Sequence, residues 1–384
     1  MASVKDFIEV IEKRINWKVI LLLFLITRLC IVGVLHTEWN GESMLCYNAD
    51  CKTRWHNVES VVDGLNPYLV WKELGGYGTD IPSQSCWPPF FFILTSVFAF
   101  FWKSIWAMRL MFFLFDFLNL FLIYRLARYK NTSSVLYLLA PSLFRGLLFV
   151  EDEVFVTFLL ASIYFLTKER YLLSTVMLAL SFNHKFFPIV LFPVLLMAMN
   201  VVRKRRQGIL PEVNYRGLLK HTGIFTLVTV FWHIFYFPDW YMFYEFRIFH
   251  YTITPGLGFG IWALLPRAYY TVFIGTAFVL FYIYCYLKKL DVKTGYLLGS
   301  LIFFSTYPRF SVDHLIFLVP LFLVWTRLGL VDILFWVFLS VTVCIDFLAL
   351  PTIGLIDPVY GYLLLVLILL GFYAVIACNL RHRR

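Results

Sequence analysis

The sequence predicts an all-α integral membrane protein forming a single domain over residues 1–384. Three observations predict it. First, 61% of the 384 residues are hydrophobic and only 15% charged, with a mean hydropathy of +0.78, too little polar surface to wrap a water-soluble core. Second, apolar runs approaching the roughly 20 residues that cross a bilayer as a helix recur from Val19 onward, with almost no soluble stretch between them. Third, basic residues gather in alternate loops. The net charge of +10 therefore follows the positive-inside rule, and nucleic acid is not implied.

The elements are justified in chain order. Residues 1–17, MASVKDFIEVIEKRINW, place Phe7, Ile8, Val10, Ile11 and Ile15 at near-helical spacing between charges. That pattern is an amphipathic helix for the inner membrane face, and it lacks the features of a cleavable signal peptide. Apolar spans are expected at about 19–35, 104–124, 132–149, 153–167, 171–183, 186–201, 221–237, 268–287, 294–306, 314–326, 330–349 and 359–378, about 12 transmembrane helices. With both termini cytoplasmic, each inner segment is basic, as in Arg125, Arg128 and Lys130, or the run Arg203 to Arg206. The alternation holds only if WPPFFFILTSVFAFFW, 87–102, does not cross. It then belongs to the first outer loop, 36–103, as a juxtamembrane helix opened by Pro88 and Pro89, residues suited to a helix start.

That outer loop is far longer than a connector requires, and long ordered loops are usually functional. From His36 to Trp87 it carries seven acids against Lys52, Arg54 and Lys72, and the stretch CYNADCKTRW sets Asp50 between two cysteines. One disulfide is expected among Cys46, Cys51 and Cys86, with its pairing open. Further polar clusters fall at expected outer ends of spans: RGLLFVEDE (145–153), FNHKFFP (182–188), YEFRIFHY (244–251) and YPRFSVDH (307–314). His184 and Lys185 stand out, because a lysine in so short a junction near hydrocarbon is costly unless it meets an anion such as phosphate. Asp116, mid-span, reads as structural, paired with Arg109 or Asn119; Arg28 and Arg109 read as buried partners of acids. There is no nucleotide loop, zinc spacing or GxSxG elbow, so no cofactor and no metal-ligand set is read from the motifs, and metal dependence stays open.

The order of these stretches resembles the GT-C membrane glycosyltransferases, nearest to the PIG-M type mannosyltransferases and bacterial polyprenol-phosphate mannosyltransferases. The resemblance rests on Asn48-Ala49-Asp50 followed by DGLNPY with Gly64 and Pro67-Tyr68, then on WPPFFFIL, LLAPSLFRGLLFVEDEVFVTFLL, LALSFNHKFFPIVLFPVLL and YPRFSVDHLIFLVPL. Asn48 replaces the first of the two acids of the PIG-M type, leaving Asp50 as the single candidate base.

What the resemblance implies is transfer, with inversion, of a hexose from a dolichyl- or polyprenyl-phosphate sugar to a lipid-linked glycan, glycolipid or other acceptor at the outer or luminal face. Mannose is that family's commonest donor sugar. Asp50 would be the general base, with His184, Lys185, Arg309 and His314 at the donor phosphate and Asn48, Glu151 and Asp152 at the sugar or acceptor. The expected partners are these substrates and membrane lipids, with room for an accessory subunit. A lipid-glycan flippase or secondary transporter is the alternative, though no repeat relates the two halves. A non-catalytic subunit of a glycosylation complex is the third class.

Overall fold

The computed structural model describes residues 4–39, 42–43, 45, 49–69, 87–141, 147, 153–204, 211–239, 241, 268–306, 315–349 and 358–381. They form an all-α architecture with two small hairpins. The chain opens with helix α1 (Val4–Arg14) and α2 (Trp17–Leu35), then a hairpin pairing β1 (Glu38–Trp39) with β2 (Glu42–Ser43). Next come α3 (Ala49–Val62), α4 (Pro89–Phe101), α5 (Ile105–Leu126) and α6 (Lys130–Leu138). Helices α7 (Glu153–Thr167) and α8 (Tyr171–His184) form an antiparallel pair, followed by a 3-10 turn (Phe187–Leu191) and α9 (Phe192–Ala198). Antiparallel β3 (Val202–Lys204) and β4 (Pro211–Val213) precede α10 (Tyr215–His233). The remaining helices are α11 (Ala268–Lys288), α12 (Val292–Thr306), α13 (Leu315–Trp325), α14 (Leu330–Ala349) and α15 (Pro358–Arg381).

Among the described residues, three segments are long and apolar enough to cross a membrane: Trp17–Leu35, Ile105–Leu126 and Tyr215–Tyr236. Local chemistry explains their starts. Asn16 accepts from the Lys18 and Val19 amides, Ser104 from the Trp106 amide and Asn214 from the Gly217 amide, each satisfying a helix N-terminus. Two expected spans are interrupted. α6 ends at Leu138, just ahead of Pro141, so 132–149 is not one helix. In 186–201, Pro188 and Pro193 divide the path into the 3-10 turn and a seven-residue helix. Proline lacks the amide donor and restrains its predecessor, which accounts for both breaks.

The core runs through α5, α7, α8, α12 and α13. α7 and α8 approach closely at small residues, where the Ser174 hydroxyl donates to the Ser162 carbonyl at 2.8 Å. Gly295 of α12 admits Val194, whose Cγ1 would lie 2.5 Å from any Cβ placed there.

Asp116 is fully buried and pairs with Arg28 of α2 at 2.7 Å, while the Tyr137 hydroxyl donates to it at 2.8 Å. This corrects the expected partners. Arg109 lies about two turns away on the same helix, roughly 10 Å, too far for a side-chain pair. It donates instead to the Leu45 carbonyl (2.7 and 3.1 Å) and the Leu147 carbonyl (2.8 Å), tying both polar segments to α5. Asn119 donates to the Glu153 carbonyl and accepts from the Thr157 hydroxyl.

Candidate functional site

The site is built from the helix that carries Asp50. Asp50 stands in the first turn of α3, and Gly64 stands just past its end with φ of +79°. There the Leu65 amide donates to the Ser60 carbonyl (2.8 Å) and the Gly64 amide to the Val61 carbonyl (3.0 Å). This is a Schellman stop, which needs a left-handed residue and so favours glycine. The interval from Asp50 to Gly64 is thus the length of a helix.

Beyond that stop the chain is anchored. Asn66 Oδ1 accepts from the Tyr68 amide at 3.0 Å, and Asn66 Nδ2 donates to Asp239 at 2.8 Å. Tyr68 is fully buried, and its hydroxyl donates to the Trp87 carbonyl at 2.8 Å. The Arg54 guanidinium lies over the Trp87 ring, 4.4 Å from its centroid. Helix α3 is therefore clamped on the start of α4, with Val58, Trp87, Phe91 and Phe92 as a second apolar cluster.

His184 closes α8 beyond the expected span 171–183, and its ring is fully buried between Phe91 (centroids 5.5 Å apart) and Phe155 (6.3 Å). Neither ring nitrogen has a hydrogen-bond partner among the described residues. Burial, with the positive charges of Lys185 and Arg54 nearby, holds the imidazole well below its ordinary pKa, so it is neutral near pH 7. Lys185 turns its ammonium over the rings of Phe317 (4.9 Å) and Phe155 (5.7 Å). An orphaned buried polar group costs about 1–3 kcal/mol, and such groups call for an explanation.

The sequence places His184 and Lys185 together, and the structure joins them through Arg54 to the helix of Asp50. In the sequence Arg54 reads only as one cation of the loop; its helical interval of four from Asp50, one turn, is the signal that could have found it. Asn57, 1% exposed and with both amide atoms unpartnered among the described residues, lies nearly a further turn along, and sequence reasoning misses it. Asn48, Glu151, Asp152, Arg309 and His314 lie outside the described residues, as do Cys46, Cys86 and the glycine-rich stretch 256–262. Cys51 is disulfide-bonded. No group of His, Cys, Asp and Glu suited to a metal occurs among the described residues.

Fold and site together define an all-α protein of apolar helices, with a buried cluster where unpartnered polar groups and cations meet the helix of the first loop. No protein-family model matches the chain, and a comparison with curated proteins finds no match.

Proposed function

We propose that this protein is a multi-pass membrane glycosyltransferase using a polyprenyl- or dolichyl-phosphate hexose, with mannose the first sugar to test. The observation that carries the reading is the unpartnered, fully buried His184 beside Lys185 and the Arg54 guanidinium, on the helix that bears Asp50. That combination suits a phosphate: two cations supply charge and a neutral imidazole supplies one N–H donor. The donor's isoprenoid tail would remain in the bilayer.

In the reaction Asp50 takes the proton of an acceptor hydroxyl as its oxygen attacks the anomeric carbon. The bond from that carbon to the phosphate oxygen breaks, its electron pair leaves with the polyprenyl phosphate, and the configuration inverts. Lys185 and Arg54 offset the charge growing on the departing phosphate, an effect enlarged where water is excluded. On this reading the site opens to the outer or luminal side and the termini are cytoplasmic, consistent with the basic inner loops. Buried charges within helices are what a transporter would share; of these, the hydrogen bonds of the Arg28–Asp116 pair make it a structural clamp, and Arg109 is spent on the Leu45 and Leu147 carbonyls.

The test is incubation of the purified full chain with a labelled polyprenyl-phosphate mannose and a host lipid extract. Wild type should yield a glycosylated lipid, and Asp50→Asn should lower the rate about 100- to 10,000-fold while remaining folded. Undiminished transfer by that variant would remove the base assignment. Translocation of lipid-linked glycan without transfer would favour the flippase.

A further inference from the structure

At the opposite end of the α7–α8 pair from His184, a cleft of about 380 Å³ is lined by Tyr124, Arg125, Lys130, Tyr164, Thr167 and Lys168. Three helix ends meet there: the last turn of α5, the first residue of α6 and the residues closing α7. Its charges are all positive. Lys130 Nζ sits 5.1 Å from the Tyr124 ring centroid and Lys168 Nζ 5.9 Å from that of Tyr164, so both ammonium groups are held beside phenol-bearing walls. No described ion pair uses Arg125, Lys130 or Lys168. A wider cleft of about 1080 Å³ adjoins it through Thr167, but there Arg203 is paired with Glu212 at 2.6 Å, and Asp291 shares the wall with Lys289. The smaller cleft is thus the one whose cations lack a carboxylate on the wall.

Its depth is marked independently by α1. The Glu12 carboxylate accepts from the Thr132 amide at 2.7 Å and the Glu12 carbonyl from Asn131 at 2.9 Å, docking α1 beside Lys130. Ile8 of α1 is buried, whereas Phe7 and Val10 are 62% and 46% exposed, an apolar side turned away from the protein. A helix so disposed lies in the headgroup layer.

We infer that this cleft is a binding site for a phosphate anion, with an anionic phospholipid headgroup as its source in the membrane. Arg125 offers its planar fork, the two lysines offer point charges, and the Tyr124 and Tyr164 hydroxyls offer hydrogen bonds to glycerol or sugar oxygens.

The experiment uses the full chain in neutral detergent, titrated separately with dioctanoyl phosphatidylinositol 4-phosphate and with inorganic phosphate, and read by native mass spectrometry. The expected result is one saturable lipid adduct per chain. It should weaken on the order of a hundredfold in Arg125→Gln/Lys130→Gln/Lys168→Gln, taking about 1 kcal/mol for each cation removed. The exposed control set Arg216→Gln/Lys220→Gln/Lys288→Gln should leave it unchanged. Saturable binding of inorganic phosphate as tightly, with the same dependence on the cleft cations, supports the site and names free phosphate as its source. Adducts that never saturate, survive the cleft variant, or weaken equally in the control set would overturn the assignment.

Discussion

Replacing His184 by leucine should stabilise the protein and abolish its activity. The imidazole is fully buried with two ring nitrogens that no described residue satisfies. An unmade hydrogen bond costs about 1–3 kcal/mol, and an apolar side chain of similar volume escapes that cost while keeping contact with Phe91 and Phe155. Allowing for imperfect shape, His184→Leu should raise stability by about 1–3 kcal/mol, a few degrees in Tm. The pH dependence gives a second reading. The folded imidazole holds a proton less tightly than an unfolded one, so the unfolded state takes up protons first as pH falls. Stability present above the unfolded value of about 6.5 is lost below it, by up to about 1.4 kcal/mol per pH unit until the lowered folded pKa is reached. Thermal unfolding of wild type and His184→Leu between pH 7.5 and 5.5 measures both, with His184→Met covering an unlucky fit. If both variants melt well below wild type at pH 7.5 and keep its acid slope, the reasoning is refuted.

Three more outcomes rest on the same contacts. Gly64→Ala, at φ of +79°, should cost about 1–2 kcal/mol, with Gly64→Asn costing less; chemical denaturation would read both, and equal stability of all three would deny the helix stop. Arg54→Lys should not rescue the transfer lost in Arg54→Gln, because an ammonium cannot stack flat over Trp87 as the guanidinium does; steady-state kinetics against donor concentration decides. Arg28→Met alone should destabilise by about 3–5 kcal/mol by stranding Asp116, and adding Asp116→Leu should recover part of it, as a double-mutant cycle on thermal unfolding would record.

The helices were legible where apolar runs were long and uninterrupted, as at Trp17–Leu35 and Ile105–Leu126. The breaks at Pro141, Pro188 and Pro193 were also written in the sequence, but hydropathy averages over a proline. Asp116 was recognisable as buried, yet its partner was not, because Arg28 is 88 positions away and meets it only through packing of α2 on α5. At the site, the Asp50-to-Gly64 interval carried real information, and its meaning as a helix length required the backbone. Arg54 looked like any loop cation because the Trp87 that holds it comes from another segment of the loop.

The α7–α8 pair is short for a bilayer. Its helices hold 15 and 14 residues, a rise of about 21–23 Å against a hydrocarbon layer of about 30 Å. Neither helix is long enough to cross such a layer alone, and with α7 buried on nearly every side in the core, any missing length has to be made up by the helices packed around it rather than by lipid.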